Sequence, residues 1–239
     1  MATLYVIATP IGNLEDLTAR AARILGEVTV LACEDTRVTG RLLARHGIAR
    51  PAHRIAYHEH NELRAGRRIL RSLAQGHSVG LCSNAGYPGI SDPGFRVVAD
   101  AAAAGHRIEV LPGAGAIEPA LIASGLPTSS FTFKGFPPRR SAARRRFLTA
   151  DADRPHTLVL YESPRRLAGL LTDALATCGD RRAAVCVELT KRFEAVHRGW
   201  LSELAEQFAE TTVRGEVTVV IAGDHPKFRR SARPPATSA

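Results

Sequence analysis

Several features are missing from this sequence of 239 residues. No uninterrupted apolar run approaches the roughly 20 residues that span a bilayer, so no membrane association is expected. The start, Met1-Ala2-Thr3-Leu4, has no basic flank, long apolar stretch or small-residue cleavage site, and a secretory signal is therefore not expected. Cysteine is sparse. Cys33, Cys82, Cys178 and Cys186 form no C-x-x-C pair and fall far apart or on apolar runs, so free thiols in a reducing cytoplasm are expected rather than disulfides or zinc. No H-E-x-x-H helix occurs either, and no metal site is expected.

Acid is also missing from part of the chain. The formal charge is +9, and Arg139, Arg140, Arg144, Arg145 and Arg146 cluster with no carboxylate among them. Arginine pairs bidentately with phosphate, so the cluster favours a polyanion contact over a merely solvated helix face. Lys227, Arg229, Arg230 and Arg233 lie with Pro234 and Pro235 in a stretch, residues 224–239, that reads as a disordered basic tail.

The N-terminal half alternates strand-like and helix-like segments. Leu4–Ala8, Val28–Cys33, Arg54–Tyr57, Val79–Cys82 and Ile108–Leu111 read as strands. Helical runs separate them, ending at Gly26, Gly47, Gly76 and Gly105. Such spacing implies βαβ crossovers and a mainly parallel sheet, with ligand loops at the carboxyl ends of the strands. Thr157–Tyr161, Ala184–Leu189 and Glu216–Ala222 are β-rich, and Glu194–His197 adds a short strand; Pro164–Cys178 and Trp200–Phe208 read as helices. The expected fold class is thus α/β in two domains: a parallel-sheet domain at residues 1–115, and a mixed-sheet α+β domain at residues 116–223.

Ser83–Gly94 carries three glycines and two prolines between a strand and a helix. A simple βα connection needs only a few residues, so this length points to a ligand loop. Pro112-Gly113-Ala114-Gly115 ends the next strand, where backbone amides at a helix entrance suit a carboxylate or phosphate. It fails as a dinucleotide fingerprint, lacking the third glycine. Glu34-Asp35-Thr36-Arg37 and Tyr57-His58-Glu59-His60-Asn61-Glu62 concentrate polar groups at two further strand ends. His58 and His60 are candidate general bases. Tyr161-Glu162-Ser163-Pro164 and Glu188-Leu189-Thr190-Lys191 are polar strand ends in the second half.

Taken together, LYVIATPIGNLEDLT, EDTR, YHEHNE, AGYPGISDPG, LPG, ASGLPT, YESPRRL, ELTKRFE and RGEVTVVIAG run in order from Leu4 to Gly223. The set resembles the RsmI-type 16S ribosomal RNA (cytidine-2′-O)-methyltransferases, a branch of the tetrapyrrole-methylase superfamily. The resemblance implies the two-domain tetrapyrrole-methylase fold, with S-adenosyl-L-methionine in a cleft between the domains. It implies methyl transfer to the ribose 2′-oxygen of a cytidine in the decoding region of 16S rRNA. It also implies a cytoplasmic homodimer acting on the small ribosomal subunit. The cofactor residues it implies are Pro10, Ser83, Asn84, Ala85, Gly86, Pro88, Ile90, Ser91, Pro112 and Gly113, joined by Tyr161, Glu162, Leu189 and Thr190. His58, Glu59, His60 and Lys191 are the catalytic candidates, and Arg37 joins Arg139, Arg140 and Arg144–Arg146 as RNA contacts. The chain departs from the family pattern at Asn84, usually aspartate, at Tyr87, usually threonine, and at Ala114-Gly115, usually proline and serine. A small-molecule tetrapyrrole methylase and a non-catalytic RNA-binding descendant are the rival expectations.

Overall fold

Residues 2–211 and 213–230 are described by a computed structural model of the chain. The chain divides into two units, residues 1–116 and 117–239. In the first unit, β1 (Thr3–Ile7), β2 (Val30–Cys33), β3 (His53–Ala56), β4 (Val79–Cys82) and β5 (Arg107–Leu111) form one sheet in the order β3-β2-β4-β1-β5. All four pairings are parallel. Parallel neighbours need crossovers, and these are supplied by α1 (Ala19–Glu27), α2 (Thr36–Arg45), α3 (Glu62–Ala74) and α4 (Phe95–Ala103).

The helices follow from their patterning. In α1, Ala21, Ile24 and Leu25 are buried and Thr18 caps the first turn, its hydroxyl accepting from the Ala21 N–H. Asp35 caps α2 in the same way, accepting from the Arg37 N–H at 2.8 Å. One face of the sheet packs Leu4, Val6 and Leu81 against Ile69 and Leu73 of α3 and Val97 of α4. The other packs Ile7 and Leu31 against Leu25 of α1 and Leu43 of α2. β1 and β4 are neighbours, yet the chain leaves them in opposite directions, to β2 on one side and β5 on the other. That switch opens a crevice at their carboxyl ends.

The second unit begins with α5 (Ile117–Ser124). Its sheet, in the order β6-β7-β10-β8-β9, contains β6 (Phe131–Phe133), β7 (Thr157–Glu162), β8 (Arg182–Val187), β9 (Ala195–Trp200) and β10 (Val217–Ile221). Only β6–β7 is parallel. α6 (Ser141–Thr149), α7 (Leu167–Cys178) and α8 (Leu201–Glu210) complete it, burying Leu148, Leu170 and Leu204 against Leu160 and Val219.

The stretch read as a tail is partly folded. Residues 226–228 form a 3₁₀ turn, Arg229 lies 2.6 Å from Asp224, and the Arg230 N–H donates to Asp180 O at 2.9 Å. Arg230 is also held from afar, by the carboxylates of Asp180 at 3.7 Å and Glu203 at 3.2 Å, which local composition does not reveal. Arg233, Pro234 and Pro235 lie outside the described residues.

Candidate functional site

The crevice of the first unit is built by three strand ends. After β1, Thr9 exchanges backbone hydrogen bonds with Gly86 of the glycine- and proline-rich loop, at 3.0 and 2.9 Å. The Thr9 hydroxyl donates to Ser83 O at 3.1 Å. Tyr87 reaches from the same loop to the turn after β5, where the Gly113 N–H donates to its hydroxyl at 2.9 Å. Gly113 also lies close to β1, since a Cβ there would meet Ala8 Cβ at 3.0 Å.

The loop's shape depends on glycine at Gly94, whose φ is +151° and where an added Cβ would lie 2.6 Å from Gly89 N. Ser91 holds φ +61° without being glycine, the kind of backbone strain that surrounding contacts must sustain. Two carboxylates anchor the loop, one just after β2 and one at the start of α3. Glu34 Oε2 accepts from the Asn84 N–H at 3.2 Å, while Asn84 Oδ1 accepts from the Asp35 N–H at 3.2 Å. Glu62 Oε1 accepts from the Tyr57 hydroxyl at 2.8 Å and from the Gly94 N–H at 3.2 Å.

A cavity of about 210 Å³ opens here, lined by Pro10, Leu14, Val38, Thr39, Arg41, Leu42, Ser83 and Asn84. The structure thus brings three of the sequence-predicted cofactor residues, Pro10, Ser83 and Asn84, to one wall. Ala85, Gly86, Pro88, Ile90 and Ser91 lie along the same loop, and Pro112-Gly113 is latched to it by Tyr87. Ser83, Gly86 and Pro88 are buried, whereas Ile90 and Ser91 face solvent.

Tyr161, Glu162, Leu189 and Thr190 belong to the second unit. β7 and β8 both flank β10, and Val217 pairs with Glu162 on one side and Val187 on the other. Both polar strand ends therefore reach the same sheet edge. Tyr161 packs its ring edge-on to Phe133 and Phe136. Glu162 is buried, with Oε1 accepting from the Ser163 N–H at 2.8 Å and Oε2 lying 3.0 Å from the Arg166 guanidinium. Leu189 is buried, and Thr190 holds φ +64°.

Among the catalytic candidates, Lys191 lies in an ion-pair network. Its Nζ donates to Glu188 Oε1 at 2.8 Å and Glu216 Oε2 at 3.0 Å. Partial burial works against its charge, but these two carboxylates outweigh that and raise its pKa above the ordinary lysine value. A lysine held protonated is no general base. Burial likewise works against the Glu188 charge, yet the Lys191 ammonium and the Glu216 N–H hold that carboxyl below its ordinary value.

His58 is fixed by Asn61, whose Nδ2 donates to Ala56 O at 2.9 Å and lies 3.1 Å from His58 Nε2. With this Nδ2 as the donor, Nε2 is the acceptor, and Nδ1 is buried with no hydrogen-bond partner among the described residues. Glu59 and His60 are exposed, 3.4 Å apart.

The arginine cluster requires correction. Arg144 is buried, its Nε donating to Asp173 Oδ2 at 2.8 Å and its guanidinium to Gly169 O at 3.1 Å. It is spent inside the unit and unavailable to phosphate. Arg145 donates to Asp173 Oδ1 at 2.7 Å but keeps half its side chain in water. Arg139, Arg140 and Arg146 are exposed. Arg37 is exposed and pairs with Asp35 at 3.0 Å, and its hydrogen bonds hold the Asp35 carboxyl down to about 2. Sequence reasoning missed the anchoring roles of Glu34, Glu62 and Tyr87 and the partner role of Asp173. Only the E-D-T-R and Y-H-E-H-N-E strings gave any signal, and only for the first two.

Among the described residues no group of three or more potential metal ligands occurs, and no helix is long and apolar enough to cross a membrane. Residues 3–205 match the sequence family described as Tetrapyrrole (Corrin/Porphyrin) Methylases. The chain is 45% identical to ribosomal RNA small subunit methyltransferase I of Halalkalibacterium halodurans, over 94% of this chain and 77% of that one. It is 48% identical to the protein of the same name from Xylella fastidiosa, over 92% and 81%. In structure it resembles the methyltransferase CobJ, with a TM-score of 0.68 at 19% identity over 93% and 95% of the two chains. Uroporphyrin-III C-methyltransferase of Thermus thermophilus, solved with S-adenosyl homocysteine, gives 0.61 at 24% identity over 93% and 97%.

Proposed function

This chain belongs to the tetrapyrrole (corrin/porphyrin) methylase family, and from that premise we propose that it is an S-adenosyl-L-methionine-dependent methyltransferase of small-subunit ribosomal RNA. We place the methyl group on the ribose 2′-oxygen of a cytidine in the 16S decoding region. The observation that carries the reading is identity of 42–48% over most of the chain to proteins named ribosomal RNA small subunit methyltransferase I. A cytoplasmic homodimer working on the small ribosomal subunit accords with this reading.

The residues of the first unit fit the cofactor. Pro10, Leu14, Val38 and Leu42 give an apolar wall, and Ser83, Thr39 and Asn84 give hydrogen-bonding groups beside it. Sites for whole small molecules commonly enclose about 300–1,000 Å³, so a cavity of about 210 Å³ suits one part of the cofactor. With Asn84 Oδ1 engaged by the Asp35 N–H, the amide NH₂ is what Asn84 offers to a carboxylate or a ribose hydroxyl. We assign the remaining contacts to Gly86, Pro88, Ile90, Ser91, Pro112 and Gly113, and in the second unit to Tyr161, Glu162, Leu189 and Thr190.

When bound, S-adenosyl-L-methionine supplies a methyl group made electrophilic by its sulfonium. The protein's task is then orientation and exclusion of water. Glu34, Glu62 and Tyr87 hold the loop that does this, each through a backbone N–H of the strand-end loops. Of the strand-end candidates we assign Glu59 and His60, both exposed, to the ribose hydroxyl, because His58 Nε2 is engaged by Asn61 and its Nδ1 is buried. Arg139, Arg140, Arg145 and Arg146 contact phosphates, giving affinity without base reading.

Incubation with methyl-labelled cofactor and small subunits lacking the modification tests this reading. One 2′-O-methylcytidine in the decoding region is expected on mapping. Label on a base, or no label, sinks the specific claim.

A further inference from the structure

We propose that the outward face of α3 is an RNA-binding surface on which Arg64, Arg67, Arg68 and Arg71 grip backbone phosphates of the substrate. The proposal rests on the RNA-methyltransferase reading above and adds a surface in the first unit, separate from the arginines of α6.

The four residues stand at i, i+3, i+4 and i+7, so they share one helix face. Ala65, Ile69 and Leu73 point the opposite way and are buried against the sheet. All four arginines are exposed. Some arginines of the chain are neutralised nearby, Arg23 by Glu27 at 2.8 Å, Arg107 by Glu109 at 3.0 Å and Arg144 by Asp173 at 2.6 Å; what sets α3 apart is four cations aligned on one face with no acid beside them. On α3 the single acid is Glu62, and its carboxylate is occupied by Tyr57 and Gly94. Among the described residues, no carboxylate lies within ion-pair distance of the four guanidinium groups.

Like charges at these spacings destabilise an isolated helix. The fold tolerates them because the buried face holds α3 in place, and a phosphate chain is the partner that relieves them. Arginine suits phosphate better than lysine does, because its planar fork donates two parallel hydrogen bonds. From Arg64 to Arg71 the ridge runs about 10 Å along the helix axis.

Its position ties it to the candidate site. α3 starts directly after His58-Glu59-His60-Asn61, and its first residue, Glu62, holds the end of the glycine- and proline-rich loop through Gly94 N–H. Phe95, 77% exposed, follows Gly94, and Leu63, 61% exposed, follows Glu62. Apolar side chains beside cationic ones suit unstacked bases of single-stranded RNA. An acidic membrane is the weaker fit, because surface-bound helices lay an apolar face into lipid and that face of α3 is already buried in the protein.

The test is the full-length variant R64Q/R67Q/R68Q/R71Q, with R23Q/R107Q as a charge control. Binding to 16S rRNA is titrated across a series of salt concentrations, alongside cofactor binding and melting temperature. Each lost phosphate contact lowers the salt slope by about 0.7 on single strands, so the slope should fall by about 3 and affinity by ~10-fold or more. The variant should melt no lower than the parent, since glutamine is a good helix former and the repulsion is gone. Cofactor affinity should not change, and the control should bind RNA like the parent. Unchanged RNA affinity and slope in a variant that melts normally would overturn the proposal. So would ridge-dependent capture on phosphatidylserine vesicles with RNA binding intact. A parent chain that binds RNA through the ridge yet methylates no small subunit would support the surface and strike only the activity.

Discussion

Arg144 and Asp173 lie 2.6 Å apart with side chains 8% and 3% exposed, a charge pair largely removed from water. Asp173 also accepts from Ser141 Oγ at 2.8 Å and Arg145 Nε at 2.7 Å, so one carboxylate ties α6 to α7. The pair sits where a glycine makes room: a Cβ at Gly169 would come within 3.0 Å of the Arg144 guanidinium. Asp173→Ala would leave a buried guanidinium without its counter-charge, and a loss of about 3–5 kcal/mol in denaturant unfolding is expected. Burial alone would raise the Asp173 pKa, but the bonds from Arg145, Ser141 and Arg144 hold it below 3.8. A depressed folded-state value means the stabilisation is complete above the ordinary carboxylate pKa and is lost as pH falls through the folded value. Unfolding curves of the parent should therefore weaken below about pH 4, and Asp173→Asn should flatten that acid limb. An arginine run with no acid among its neighbours reads as free charge in the sequence. Asp173 lies 29 positions from Arg144, and only folding puts them together.

Among the elements, the loops are more informative than the strands. Strand ends and helix stops were legible because β-branched runs and positive-φ glycines mark them locally, as at Gly47, Gly76 and Gly105. What joins one loop to another was not legible. Tyr87 departs from the residue usual in the resembled family, and here it bridges the loop after β4 to the turn after β5 by accepting from Gly113 N–H. Tyr87→Phe keeps the ring and removes the acceptor. A net hydrogen bond is worth about 0.5–1.5 kcal/mol, so the melting temperature should fall by about 1–6 °C, and because the latch shapes the loop, cofactor affinity should fall by up to about tenfold. Calorimetry reads this directly, and unchanged affinity would mean that the latch does not shape the cofactor's contacts. Lys191 teaches the same lesson. Its Glu188 partner is three residues away, but Glu216 arrives on β10's approach, where Gly215 holds φ +86°, a left-handed backbone that favours glycine.

For the molecule as a whole, ligand linkage gives the broadest check. A cofactor that binds only the folded chain adds about 2.7 kcal/mol of stability at 100 times its Kd. For a chain of this size that should raise the melting temperature by about 5–10 °C, read by calorimetry or a dye-based melt. No shift at saturating S-adenosyl-L-methionine would count against the methyltransferase reading. By itself, the sequence determined the alternation of strands and helices, the parallel character of the first sheet and the location of its long strand-end loops. Periodicity, glycine stops and strand-end polarity are properties of neighbouring residues, so they survive in one dimension. Tertiary structure alone decided which charges are free. Asp173 and Glu216 consume arginine and lysine groups that look available, while the ridge of α3 stays open because its only acid is committed to Tyr57 and Gly94. Electrostatic pairing acts over a few ångströms in space regardless of separation along the chain, so composition gave the chain its sign and the fold chose the surfaces that express it.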